Sequence, residues 1–295
     1  MATNNNNLPV RQYAPQYRQM LSTIFNVQKA FAGVLAPIQT LDGVQFNSKA
    51  FLVKTNATPV VVGTYNTDAN KAFGTGTEAG SRFGELKEVI YTDTEVNYDY
   101  TLAIHEGIDR YTVNNDLNAA VADRLRLHSE AQTRKVNKRV GKFLSDNAGE
   151  TKQLADLTEA NLKKLFNEIN VYVVNTEINA PIKCYLRAQV YNAIVDMASN
   201  NKSKGSNVSI DTNGLLKYKN VELNEVAEQY FEDNVVAIFS PDGIVIPFIG
   251  IETARTVEAQ EFDGVKLQAA AKGGTFVLDD NKKAIIKVTS TTPLA

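Results

Sequence analysis

The stretch from Asn115 to Ser145 constrains this chain more than any other. Leu117, Val121, Leu125, His128, Ala131, Val136, Val140 and Phe143 recur every three to five residues, with charged residues between them. That spacing draws one apolar stripe along a helix. Asn114 or Asn115 is placed to cap its start, with Asp116 in the first turn. Arg134, Lys135, Lys138, Arg139 and Lys142 fall towards its end, where cations suit the helix dipole. At 1.5 Å per residue the helix is roughly 45 Å long, more than the ~35 Å across a compact domain of half this chain's length. Such a helix is a spine across which other parts of the chain are laid.

Before it come two different regions. In residues 1 to 45, Asn4 to Asn7, Pro9, Pro15 and Gly33 interrupt any period, and only Tyr17 to Phe31 has a short helical run; this reads as an arm. Lys49 to Val62 is then β-branched and apolar. Glu85 to Ile104 alternates, with Ile90, Thr92, Thr94, Val96, Tyr98, Tyr100, Leu102 and Ile104 on one face. Between them, Gly63 to Gly84 carries Gly74, Gly76 and Gly80 among Thr, Asn and Asp, the composition of a connection. The pattern predicts a long hairpin. Twenty extended residues span ~60 Å, beyond the usual roughly five to ten residues of a strand, and an isolated ribbon is marginal in water. Its apolar side chains need cover, which neighbouring copies would supply; a ribbon bent back by a bulge is the alternative.

After the spine, Thr158 opens a helix with Leu162, Leu165, Phe166 and Ile169 on one face. Val171 to Val174 and Ile182 to Leu186 read as strands, and Ala188 to Ser199 as a helix carrying Val190, Ile194 and Met197. Asn200 to Asn213 is a polar surface loop. Strands are expected at Leu215 to Tyr218, Val235 to Phe239, Ile244 to Ile249, Val265 to Ala271, Thr275 to Leu278 and Ala284 to Val288, with a turn at Asp279 to Asn281. Helices and strands in this order make an α+β chain.

The residues that carry chemistry are few. The single Cys184 excludes an internal disulfide, and in an expected strand it reads as a small buried hydrophobe rather than a catalytic thiol. His105 and His128 are the only histidines, without metal-ligand spacing. His128 sits in the helix stripe, and His105 ends the long strand beside Glu106 and Asp109. Gly74, Gly76 and Ala79 match a loose dinucleotide fingerprint but lack the preceding buried strand and the following helix. Asp211, Asn213 and Gly214 read as a turn rather than a calcium loop. No phosphate loop or nucleophile elbow occurs, and no carboxylate pair stands out. The expected inventory is therefore no catalytic residue, no cofactor site and no metal site. A net charge of -2 implies no strong electrostatic partner, and the spine's cations suit a solvated face or a weak, nonspecific phosphate contact. The longest apolar run, Ile244 to Ile251, is broken by Pro247, too short for a membrane span, and the Asn-rich start lacks a signal-peptide core; both point to cytoplasm.

The order of arm, long hairpin, spine helix, mixed domain and returning strands resembles the major capsid proteins of tailed bacteriophages, which share the Hong Kong 97 fold. The likeness covers nearly the whole chain and rests on order and length rather than on a sharp motif. It implies an N-arm at 1–46, an extended hairpin loop at 47–104 that overlaps the next subunit, and a peripheral domain with the spine helix at 105–157. An axial domain follows at 158–253, then peripheral-domain strands at 254–282 and a return strand to the axial domain with a tail at 283–295. It further implies a structural, non-enzymatic protein that self-assembles as pentamers and hexamers into an icosahedral shell around double-stranded DNA, in a virion built in the host cytoplasm. Portal and head-completion proteins would be partners. Some members carry a long helical scaffold ahead of the arm; nothing of that length or helical character precedes the arm here, which implies a separate scaffolding protein, or none. Lys54, Lys71 and Lys87 are loop lysines, but none matches the cross-linking site of the type member, so no cross-linking is expected. Encapsulin-like nanocompartment shells share the fold and are the nearest alternative; a soluble α/β enzyme is the remote one.

Overall fold

A strand whose side chains are apolar on both faces has to be covered on both faces, and Val235–Pro241 is such a strand, buried at all seven positions. It forms part of the larger of two units in the computed structural model, which describes residues 29–41, 49–56, 58–69, 71–72, 80–113, 116–197, 210–211, 214–215 and 217–291. The larger unit comprises residues 1–43 and 99–295, the smaller 44–98.

In chain order the strands and helices of the larger unit are β1 (Gln39–Thr40), β4 (Tyr100–Asp109), α1 (Leu117–Asp146), β5 (Glu150–Leu154), α2 (Glu159–Asn175), β6 (Ile182–Arg187), α3 (Ala188–Val195), β7 (Ile210–Asp211), β8 (Gly214–Leu215), β9 (Lys217–Tyr218), β10 (Val221–Val226), β11 (Val235–Pro241), β12 (Ile246–Glu258), β13 (Gly264–Phe276), α4 (Asp279–Lys282) and β14 (Ile286–Ser290); β2 (Lys49–Thr55) and β3 (Thr92–Asn97) belong to the smaller unit. A six-stranded sheet runs β5-β14-β11-β6-β10-β9, with β5/β14 and β6/β10 parallel and β14/β11, β11/β6 and β10/β9 antiparallel. Alternation along β6 and β11 divides the core. Cys184, Leu186, Val236 and Phe239 join Leu162, Phe166 and Ile169 of α2 and Ile194 of α3. Tyr185, Val235 and Ile238 join Val140 and Leu144 of α1 together with Phe31 and Val34. The sheet is thus covered by α2 and α3 on one face and by the last turns of α1 on the other. Each fully buried Leu, Ile, Val or Phe contributes roughly 1.5–3 kcal/mol.

The spine helix forms as the periodicity predicts, with two corrections. Its N-cap is Asp116, whose carboxylate accepts from the Ala119 amide at 3.2 Å; Asn114 and Asn115 lie outside the described residues. Its last turn holds no cation. Of its buried residues, only Ala120 lies in the first twenty; Asn137, Val140, Gly141, Leu144 and Ser145 crowd the C-terminal end, and Leu125 in the predicted stripe stands half exposed.

Other expectations shift for identifiable reasons. Val171 to Val174 is the end of α2 rather than a strand. Its backbone continues the helical ladder while Tyr172 and Val173 pack on the core, and β-branched residues cost a helix only a few tenths of a kcal/mol each. Val265 to Ala271 and the start of Thr275 to Leu278 belong to one strand, β13, which ends at Phe276; it passes through Gly273 and Gly274, where a Cβ would strike the Phe248 carbonyl at 2.5 Å and the Phe248 ring at 2.3 Å. Asp279 to Asn281 is a helical turn, and the last strand starts at Ile286. Strands β5 and β10, too polar to be read from pattern, exist through their partners β14 and β6.

The largest correction concerns Glu85 to Ile104. Thr92–Asn97 pairs antiparallel with Lys49–Thr55, whereas Tyr100–Asp109 pairs with β13 in the sheet β1-β12-β13-β4. The break is Asp99. Its amide donates to Gly273 O at 3.1 Å and its carboxylate accepts from both Thr275 N and Thr275 Oγ1, at 3.1 and 3.0 Å. Lys49 to Val62 likewise yields a strand only to Thr55. His105 therefore lies within a strand that continues to Asp109 and does not end it. The predicted helix at Tyr17 to Phe31 falls largely outside the described residues.

Candidate functional site

Strand β4 alternates half-buried and exposed side chains, so Glu106 faces α1 while His105 is exposed on the opposite face. Glu106 receives two side chains one helical turn apart on α1. Its Oε1 accepts from Arg124 Nη2 at 2.6 Å, and its Oε2 meets Arg124 Nε and, at 2.6 Å, His128 Nε2. The Arg124 guanidinium, opposed by desolvation and seconded by His128, holds the Glu106 carboxyl at about 2. His128 is 12% exposed. Both carboxylate oxygens are occupied and no nucleophile adjoins, so the cluster clasps β4 to α1. The sequence placed His128 and Glu106 separately; the 22-residue separation hid their contact. The two histidines are not brought together.

The other candidates are also absorbed into the fold. Cys184 is fully buried, and burial pushes its thiol well up, which leaves it a packed hydrophobe. Arg139 stacks 3.3 Å above the Tyr100 ring and approaches Asp99 at 3.9 Å. Lys142 bridges Asp146 at 3.1 Å and Glu232 at 3.7 Å, and Arg134 reaches Glu130 at 3.9 Å. These partners, rather than the helix dipole, account for three of the five spine cations. Gly74, Gly76, Ala79 and Asn213 lie outside the described residues, while Asp211 and Gly214 are partners in the antiparallel pairing of β7 with β8. Among the described residues no group of three His, Cys, Asp or Glu side chains could hold a metal, and no helix is long and apolar enough to cross a membrane.

What stands open is the smaller unit. Outside the β2–β3 ladder the described residues of its two arms form no regular strand, and the arms are joined by the Asn66 amide donating to Arg82 O at 2.9 Å and by Tyr65 edge-on to Phe83 at 5.1 Å. Along them Val60 and Val62 are each 91% exposed and Leu86 99%, with Phe83, Ile90 and Tyr91 also mostly exposed. Phe83 and Leu86 line an open cavity of about 630 Å³. Monomeric soluble proteins rarely expose apolar side chains in such density, and these are the features of an uncovered interface. Each such side chain, once covered, would contribute roughly 1.5–3 kcal/mol.

No family model matches the sequence, and no curated protein matches it. Among solved structures, the chain is similar to the subunit in the mature capsid of bacteriophage PhiM1, with a TM-score of 0.65 at 10% identity, over 92% of this chain and 89% of that one. The chain has the Hong Kong 97 fold. A chain from Mycobacterium phage Cain matches at a TM-score of 0.64 and 10% identity over 93% and 94% of the two chains. The capsid structure of cyanophage P-SCSP1u matches at 0.63 and 11% identity over 88% of each. At these identities the likeness is one of backbone path. The fold expected from the order of elements is the fold found, and the spine helix that suggested it is α1.

Proposed function

We propose that this chain is the major capsid protein of a tailed bacteriophage, a structural subunit that closes in pentamers and hexamers into an icosahedral shell around double-stranded DNA. The observation that carries the reading is the ribbon of the smaller unit, apolar, extended and uncovered, on a fold that solved phage capsids share. Cover from a neighbouring copy satisfies both its side chains and its unpaired backbone. In this reading 1–46 is the arm and 47–98 the loop laid over the next subunit, since 100–104, expected in the loop, lie in β4 of the larger unit. Residues 99–157 and 254–282 form the peripheral domain, and 158–253 with 283–295 the axial domain that meets around the symmetry axes. The work is geometric, without a catalytic step. Its partners are other copies, a separate scaffolding protein, portal and head-completion proteins, and DNA held by nonspecific phosphate contact, with assembly in the host cytoplasm and residence in the virion.

Negative-stain electron microscopy of the purified protein, alone and coexpressed with its neighbouring head genes, tests this. Closed shells or ring-shaped capsomers are expected, with nucleic acid inside the shells formed during infection. Shells that enclose a protein cargo and never DNA would overturn the phage reading. A lone monomer under every condition would overturn assembly itself.

A further inference from the structure

The face of β4 that carries His105 points away from α1, and the pairing of β4 with β13 and of β13 with β12 extends it over three strands. His105 lies opposite Gln268 and Gln268 opposite Arg255, one row across the sheet. Arg255 Nε donates to Gln268 Oε1 at 2.8 Å. That bond engages the acceptor end of the Gln268 amide and leaves its NH2, with the Arg255 Nη groups, to donate elsewhere. Side chains alternate along a strand, so Lys266 and Lys272 share this face with Gln268. Ala103, Ala270 and Thr253 make a neighbouring row of small side chains, which keeps the face flat. At one end Phe262 lies over Gly107, where a Cβ would come within 2.7 Å of its ring.

The acids of these strands are turned elsewhere. By the same alternation Glu106, Glu252 and Glu258 fall on the opposite face. Asp109, at the end of β4, accepts from the Tyr111 amide at 2.9 Å, and Glu261, in the turn after β12, pairs with Lys266. The spine helix differs, since Arg124, Arg126, Arg134 and Lys142 each meet a carboxylate, so its cations are interspersed with acids. A chain of net charge -2 thus presents a sheet face rich in hydrogen-bond donors and positive charge.

We propose that this sheet face binds the phosphate backbone of double-stranded DNA, with Arg255 and Lys272 on phosphate oxygens and Gln268 and His105 donating beside them. Donors of this kind suit phosphate and fix a duplex without reading its sequence. The small side chains let a backbone approach the sheet, and the middle of the face carries alanine and threonine in place of the large apolar anchors that a protein interface uses. Lys266 and Lys272 stand ~20 Å apart along β13 at the usual rise of a strand, a length that spans about six phosphates of one DNA strand. The inference deepens the shell reading and rests on it for the identity of the polyanion, the packaged duplex.

The test is fluorescence anisotropy of a labelled duplex of about 20 base pairs, titrated with the unassembled 32.4 kDa subunit over a range of salt concentrations. Two or three phosphate contacts predict that log affinity falls against log salt with a slope of about -2 to -3. Arg255→Gln with Lys272→Gln is expected to weaken binding about tenfold at low salt and to reduce the slope by about 2. Lys135→Gln with Lys138→Gln on α1 removes the same charge and should leave affinity and slope almost unchanged. No duplex binding by the parent would overturn the proposal, as would a loss in the α1 variant and none in the sheet variant. Equal affinity for polyglutamate would also overturn it, by making the partner an acidic protein. Electron microscopy of the same preparations separates this inference from the shell reading. Shells from a parent that binds no duplex would remove the inference alone, whereas duplex binding at this face by a parent that never forms shells would remove the shell reading alone.

Discussion

The carbonyl oxygen of Tyr230 lies 1.9 Å from the point a Cβ on Gly141 would occupy. A 3-10 turn, Glu228–Tyr230, is thereby seated directly on the backbone of the spine helix, in the turn where that helix buries Val140 and Leu144. A helix interior ordinarily disfavours glycine by about 1 kcal/mol relative to alanine; here the close approach outweighs that preference. Gly141→Ala is therefore expected to destabilise the chain by about 2–4 kcal/mol despite the gain in propensity, read from urea unfolding of the unassembled subunit. A variant as stable as the parent would show that the turn can lift off without loss.

Arg139 and Tyr100 make the second tie between helix and sheet. A guanidinium stacked this closely and only 24% exposed contributes on the order of 1–2 kcal/mol. Arg139→Ala should cost about that much, and Arg139→Lys should recover little of it, because an ammonium lacks the planar face that lies on the ring. In a double-mutant cycle with Tyr100→Leu the coupling is expected to be of the same size, and additive losses would remove the stacking account.

The Glu106 clasp has a defined pH signature. Its folded carboxyl sits at about 2 against an ordinary 4.5, so its stabilisation is fully present above pH 4.5 and is lost as the pH falls towards 2. A shift of that size corresponds to at most about 3 kcal/mol, and with the side chain 31% exposed, solvent screening reduces it to about 1–2 kcal/mol. Glu106→Gln is expected to be less stable than the parent by that amount at pH 7, with the difference shrinking to nothing near pH 2. A difference independent of pH would mean the carboxylate's charge plays no part.

The uncovered ribbon should separate folding from assembly. Val60→Asp with Leu86→Asp alters two side chains that are 91% and 99% exposed, so unfolding of the subunit should change by less than about 0.5 kcal/mol. Shell formation, which would have to bury the new carboxylates, should fail. Normal shells from this variant would place the intersubunit contact elsewhere. Excising Thr67 to Phe83 is expected to have the same outcome, a folded subunit that does not close shells.

Much of this protein was legible from its residues alone. The spine helix, the apolar β11, the helices after Thr158 and the order of elements follow from periodicity, which is local. From that order the fold could be named, although at 10% identity to the solved capsids no shared motif signals it. Tertiary structure decided whatever depended on a distant partner. The alternation through Glu85 to Ile104 carries no mark at Asp99, because the break is made by Gly273 and Thr275, more than 170 residues away. Val171 to Val174 has strand composition but stays helical because the core lies along its helix. Gly141 looks like a helix defect until Tyr230 is placed against it, and the spine cations suggest a dipole effect until Tyr100, Glu130 and Glu232 are brought to them. The open ribbon was foreseen as apolar and in need of cover. That its outer arms find no strand partner within the described chain is a result of three-dimensional pairing, since side-chain pattern sets which face is apolar while register and neighbours set whether it is covered.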